Sequence, residues 1–150
     1  MDNDALYAVN RHSCYSLEYH LVVVTKYRHP VLTGNIEIRL KEITRRLFTE
    51  NFGGRVIRME CDKDHIHILF TSPPQLALSQ IADVYKTVTS RLLKKEFAAE
   101  LAPYYWKEAL WSRSYFIGTV SNRTDEAVQA YIANQKSPEH QRKRGRPKKN

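Results

Sequence analysis

Two strand-like segments lie only two residues apart, and that gap limits the possible folds more than any other feature of the chain. RVIRMECD (55–62) alternates in character, HIHILFTS (65–72) follows, and Lys63-Asp64 alone separates them. Parallel neighbours need a crossover of a dozen or more residues, so a link this short makes an antiparallel hairpin. The chain on either side fits around it. SLEYHLVVVTKY (16–27) is rich in β-branched and aromatic residues and reads as a strand. From Glu37 to Asn51 apolar residues recur at helical spacing, and Gly53-Gly54 stops that helix. A second helix is expected from Leu76 to Glu100, a fourth strand over 109–120, and a last helix from Thr124 to Gln135. The order β-α-β-β-α-β-α predicts an α+β fold: a ferredoxin-like antiparallel sheet with helices packed on one face, plus the C-terminal helix.

The hairpin also raises a chemical question. Side chains alternate along a strand, so His65 and His67 point one way, roughly 7 Å apart, while Ile66, Ile68 and Phe70 point the other. The apolar set can form the core, which leaves the imidazoles together on the opposite face. Two neutral imidazoles so placed can converge on one metal ion. They can equally make ordinary hydrogen bonds on a solvated sheet face, and the pair alone does not decide between these readings.

The last helix offers what the pair lacks. Tyr131 and Gln135 are one turn apart and share a face, whereas Val128 and Ile132 lie on another side and can dock the helix. The Gln135 carbonyl would add a hard oxygen to two borderline nitrogens, a set acceptable to Mg²⁺ or Mn²⁺. Tyr131 would then be a nucleophile, its proton loss helped by the cation. Spacing alone does not single it out, because the chain has 9 tyrosines and most helical tyrosines simply pack.

Together these residues resemble the single-tyrosine transposases of the HUH endonuclease superfamily, the TnpA type of small prokaryotic insertion sequences. His65-Ile66-His67 in DHIHILF matches the histidine motif, and YIANQ matches the tyrosine motif with its amide one turn on. EYHLVVVTKYRHPVL and LWSRSYFIGTV also look like the family, and the blocks occur in the expected order over about residues 15–136. The resemblance implies cleavage of single-stranded DNA by the tyrosine, through a 5′-phosphotyrosine link that another strand's 3′-hydroxyl resolves. By carry-over, His65, His67 and Gln135 hold the metal and Tyr131 attacks. It further implies a homodimer, in which the tyrosine helix can complete the partner's site, and DNA partners with hairpin ends. A domesticated relative acting on chromosomal hairpins, a binding module without catalysis, and a nuclease that uses water are the alternatives.

Charge and composition agree with a nucleic-acid partner. The net charge is +8, but residues 136–150 carry +6 of it, leaving +2 on residues 1–135. We therefore expect a single domain over 1–135 and a disordered basic tail over 136–150. Its Arg144-Gly145-Arg146-Pro147 resembles an AT-hook, though a plain basic arm acting by counterion release reads as well. Lys26, Tyr27 and Arg28 mix cations with an aromatic, as a phosphate-and-stacking surface would, and Arg113 is a further DNA-binding candidate. Isolated Cys14 and Cys61 suit a reducing cytoplasm, and no apolar run approaches the ~20 residues that span a bilayer.

Overall fold

The computed structural model describes residues 8–9, 14–15, 17–73, 76–120 and 124–135. The basic segment 136–150, and the expectation made for it, lies outside the described residues. Strands β1 (Ala8–Val9) and β2 (Cys14–Tyr15) pair as a small ribbon that the sequence pattern did not announce. The main sheet holds β3 (Glu18–Val24), β4 (Arg55–Asp62), β5 (His65–Thr71) and β6 (Phe116–Thr119). Its order is β4-β5-β3-β6, and every neighbouring pair is antiparallel. This is the ferredoxin-like arrangement, with the hairpin β4-β5 placed so that β5 and β3 are the two inner strands.

The centre of the sheet explains the composition of β3. Leu21, Val22, Val23 and Val24 are all fully buried, because both faces of an inner strand are covered here. Leu21 and Val23 join Ile66, Ile68 and Phe70 in the main core. Over that face lie α1 (Gly34–Arg46), α2 (Leu78–Glu96) and α3 (Ala98–Tyr105), contributing Leu40, Ile43, Ile81, Tyr85, Leu101 and Tyr105. Each such side chain contributes about 1.5–3 kcal/mol by leaving water. Val22 and Val24 face the other way, where α4 (Thr124–Ala133) brings Val128 and Ile132 against them. The helices of the core thus share one face, and the last helix covers the opposite one.

Several element boundaries differ from expectation for identifiable reasons. The helix begun at Gly34 widens into a π turn over Leu47–Asn51 before it stops. Gly53 there has φ +71°, and a Cβ on Gly54 would lie 1.9 Å from the Thr71 carbonyl oxygen, so a side chain cannot fit where the turn meets β5. The expected helix 76–100 ends at Phe97, whose φ −123° and ψ 43° leave the helical region, and α3 follows directly. No glycine or proline marks that break in the sequence. The strand expected over 109–120 shrinks to Phe116–Thr119, with only a single bridge from Trp111 to Thr25 before it. Leu110 and Ser112 still bond Lys26 and Val24 through their backbones, after which the chain leaves the ladder until Phe116. Among the described residues no helix is long and apolar enough to cross a membrane.

Candidate active site

A β-bulge sets the register of the hairpin. Val56 pairs with Phe70 and Arg58 with Leu69, so Ile57 is an extra residue in β4. Beyond it Glu60 stands opposite His67 and Asp62 opposite His65, while Val22 and Val24 flank the same histidines from β3. Directly paired residues share a face, so both carboxylates lie on the histidine side. There His65, His67, Glu60 and Asp62 border a cavity of about 210 Å³, closed from above by Val128, Gln129 and Ile132 of α4.

His65 is held at one ring nitrogen, whereas His67 is contacted at both. His65 Nδ1 lies 2.9 Å from Asp64 Oδ1. A carboxylate only accepts, so this nitrogen carries a proton, and in the neutral ring Nε2 is the nitrogen with the lone pair. Asp64 is buried, and its second oxygen accepts from Arg28 Nε at 3.0 Å. Burial would push the Asp64 carboxyl up, but the hydrogen bonds from His65 and Arg28 outweigh it and hold the group below its ordinary range. His67 Nε2 is in hydrogen-bonding contact with Nδ1 of buried His20, and its Nδ1 lies 3.8 Å from Glu60 Oε1.

His20 was missed by sequence reasoning, although a signal exists. It stands two residues before Val22 and therefore on the histidine face of β3.

The tyrosine motif occupies the other flank of α4. Tyr131 Oη lies 3.0 Å from Ser114 Oγ, and its ring packs against Phe116 at 6.0 Å between centroids. Burial pushes the phenol above its ordinary value, opposed by the Ser114 hydrogen bond. Gln135 Oε1 accepts from Ser112 Oγ at 3.3 Å, and its Nε2 donates to the Tyr131 carbonyl at 3.3 Å. Tyr131 and Gln135 are thus one turn apart as expected, but Gln135 opens into a second cavity, of about 520 Å³, shared with Lys26, Tyr27 and Arg113. Within one chain the structure does not bring Gln135 into the histidine cavity; the glutamine that lines it is Gln129. Among the described residues no three His, Cys, Asp or Glu side chains form a ready-made cation cluster. The donor chemistry still suits a divalent ion, with imidazole nitrogens beside carboxylate oxygens.

Of the four candidate DNA contacts, three converge. Lys26, Tyr27 and Arg113 border the larger cavity, with Lys26 Nζ 5.5 Å above the Tyr27 ring. Arg28 is the exception, turned back to Asp64. The cause is local: Tyr27 and Arg28 have φ of 62° and 56°, left-handed values that cost a non-glycine residue roughly 1–2 kcal/mol each.

The model of the family described as "Transposase IS200 like" matches residues 13–135. The chain belongs to the IS200-like transposase family. It is 38% identical over 125 residues to the ISDra2 transposase TnpA of Deinococcus radiodurans, covering 83% of this chain and 88% of that one. It is 32% identical over 124 residues to the transposase for insertion sequence element IS200 of Salmonella typhimurium, covering 83% and 80%. A crystal structure of a D. radiodurans R1 protein assigned as a transposase superposes with a TM-score of 0.80 at 35% identity, covering 87% of this chain and 98% of that one. The transposase is accordingly an enzyme of DNA cleavage and strand transfer.

Proposed function

We propose that the transposase cuts single-stranded DNA at hairpin-marked ends by attack of the Tyr131 phenol on a phosphodiester. The tyrosine oxygen bonds to phosphorus, the bond from phosphorus to the 3′-oxygen breaks, and that oxygen leaves as a 3′-hydroxyl. The 5′-phosphate stays on Tyr131 until another strand's 3′-hydroxyl attacks it and displaces the phenol. One bond is made and one broken at each step, so no external energy source is needed. His65, His67 and Gln135 would hold a Mg²⁺ or Mn²⁺ ion, which when bound supplies positive charge to the phosphate and favours loss of the phenol proton. The observation that carries the reading is the pair of imidazoles on β5, side by side on one face of the sheet beneath α4, in a chain whose family moves DNA.

The separation of Gln135 from the imidazoles has a consequence for assembly. Either α4 shifts across the sheet, or a second copy of the chain supplies its helix. We favour the homodimer, because α4 rests on a small apolar patch rather than on the main core. Lys26, Tyr27 and Arg113 would hold the strand beside it, with cations on phosphates and the ring under a base.

The test uses labelled single-stranded DNA bearing a hairpin, incubated with Mg²⁺ or Mn²⁺ and resolved on a denaturing gel. Wild type should give a protein–DNA adduct, and Tyr131→Phe none. Nicked product without adduct would mean that water is the nucleophile, and no cleavage would leave a binding module. Mixing Tyr131→Phe with a His65→Ala, His67→Ala double variant asks whether the helix crosses between subunits. Restored adduct requires it, and none means that each chain completes its own site.

A further inference from the structure

We infer that Arg28 and Asp64 form a brace that fixes the orientation and tautomer of His65, which makes Arg28 a positioning residue and not a DNA contact. The inference rests on the proposed cation site. Its geometry is a chain of three groups: Arg28 Nε to Asp64 Oδ2 at 3.0 Å, then Asp64 Oδ1 to His65 Nδ1 at 2.9 Å. A carboxylate behind an imidazole holds the ring in one plane and leaves the far nitrogen as the donor to a metal; such outer partners are worth 10–100-fold in affinity. The guanidinium in turn keeps the carboxylate in place, using a planar group that a lysine ammonium does not reproduce.

The backbone around the brace carries independent support. Two successive residues, Tyr27 and Arg28, are held at positive φ without being glycine. Strain of this kind persists only where the surroundings over-determine it. Here they do. Thr25 Oγ1 donates to the His29 carbonyl at 2.9 Å, Arg28 N donates to the Thr25 carbonyl at 2.9 Å, and Tyr105 Oη donates to the Lys26 carbonyl at 2.8 Å. Thr25 N donates to the Asp64 carbonyl at 2.9 Å and Leu32 N to the Lys63 carbonyl at 2.8 Å, so the turn is bolted to the tip of the histidine hairpin. The curl sends Lys26 and Tyr27 to the larger cavity and Arg28 back to Asp64. One turn thus serves both sites, with neighbouring cations doing different work.

Two readouts besides activity test this. Arg28→Gly removes the guanidinium at a φ that glycine accepts without steric strain, and Arg28→Lys, which keeps a side chain on that backbone, and Asp64→Asn are the companions. Mn²⁺ affinity, read by electron paramagnetic resonance on the full chain, should fall about 10-fold in Arg28→Gly and Asp64→Asn, with little rescue by Arg28→Lys. Nitrogen-15 spectra of the metal-free protein should show His65 protonated at Nδ1 in wild type and mixed in the variants. Metal-free binding to single-stranded DNA should keep its salt slope in Arg28→Gly, whereas Lys26→Ala lowers it by about 0.7. Unchanged Mn²⁺ affinity with an unchanged His65 tautomer overturns the brace, and a slope reduced by about 0.7 in Arg28→Gly makes Arg28 a phosphate contact instead. Wild type that binds no Mn²⁺ would count against the cation site, and the tautomer comparison would still decide the brace.

Discussion

Asp64 is the residue on which most local interactions meet: a backbone carbonyl that ties two loops together and a carboxylate shared between a guanidinium and an imidazole. Its carboxyl lies below the ordinary range, although burial alone would raise it. A depressed carboxyl stabilises the fold fully above its unfolded value, about 3.9, and loses that contribution as pH falls through the folded one. Urea midpoints taken between about pH 5 and pH 2 should therefore drop more steeply for wild type than for Asp64→Asn, whose amide does not titrate. Parallel curves would mean that the carboxylate contributes nothing. At this scale the sequence was partly legible. Strand alternation was enough to put His65 and His67 on one face and Ile66, Ile68 and Phe70 on the other. His20 was passed over because strand alternation gives its face but not its partner. The pairing of Arg28 with Asp64 was not legible because a positive φ, not a composition pattern, decides where its side chain goes.

Among the elements, α4 stands apart. α1 to α3 share one continuous core, whereas α4 meets the sheet through Val128 and Ile132 on Val22 and Val24, with Tyr131 and Phe116 alongside. Truncating Ile132 to alanine should cost about 2 kcal/mol, most of it felt by this helix alone. Hydrogen exchange should show faster opening of α4 amides with protection of β3 and β5 unchanged. Equal loss of protection throughout would mean that α4 is part of the main cooperative unit. The long periodic helices and the hairpin were readable in advance, since hydrophobic spacing is a strong local signal. The break at Phe97 was not, because it lacks a glycine or proline, and β6 came out shorter than its alternation suggested. Residues 113–115 leave the ladder, and Ser112, Arg113 and Ser114 line the larger cavity. The position of Gln135 was beyond sequence for a related reason: helical spacing gives the neighbour one turn away, not where along the histidine face the helix settles.

For the molecule as a whole, charge and fold are separable. The described body presents Lys26 and Arg113 where the larger cavity opens, yet residues 1–135 carry a net of only +2 against +6 on residues 136–150. Counterion release makes affinity for a polyanion depend on the number of phosphates neutralised. Truncation after Gln135 should therefore weaken DNA binding at moderate salt and flatten its salt dependence, while adduct formation on a saturating substrate persists. Loss of the adduct at saturation would give the tail a role in chemistry.

The bulge at Ile57 has a further consequence for the chain as an heirloom under mutation. Because Val56 and Arg58 already pair with adjacent residues of β5, Ile57 is one residue of slack. Excising it leaves the partners of Glu60 and Asp62 where they are, and the melting temperature of that deletion should stay close to wild type. Adding one residue between Glu60 and Asp62 has no such reserve to draw on, and would turn a carboxylate away from the imidazoles it now faces.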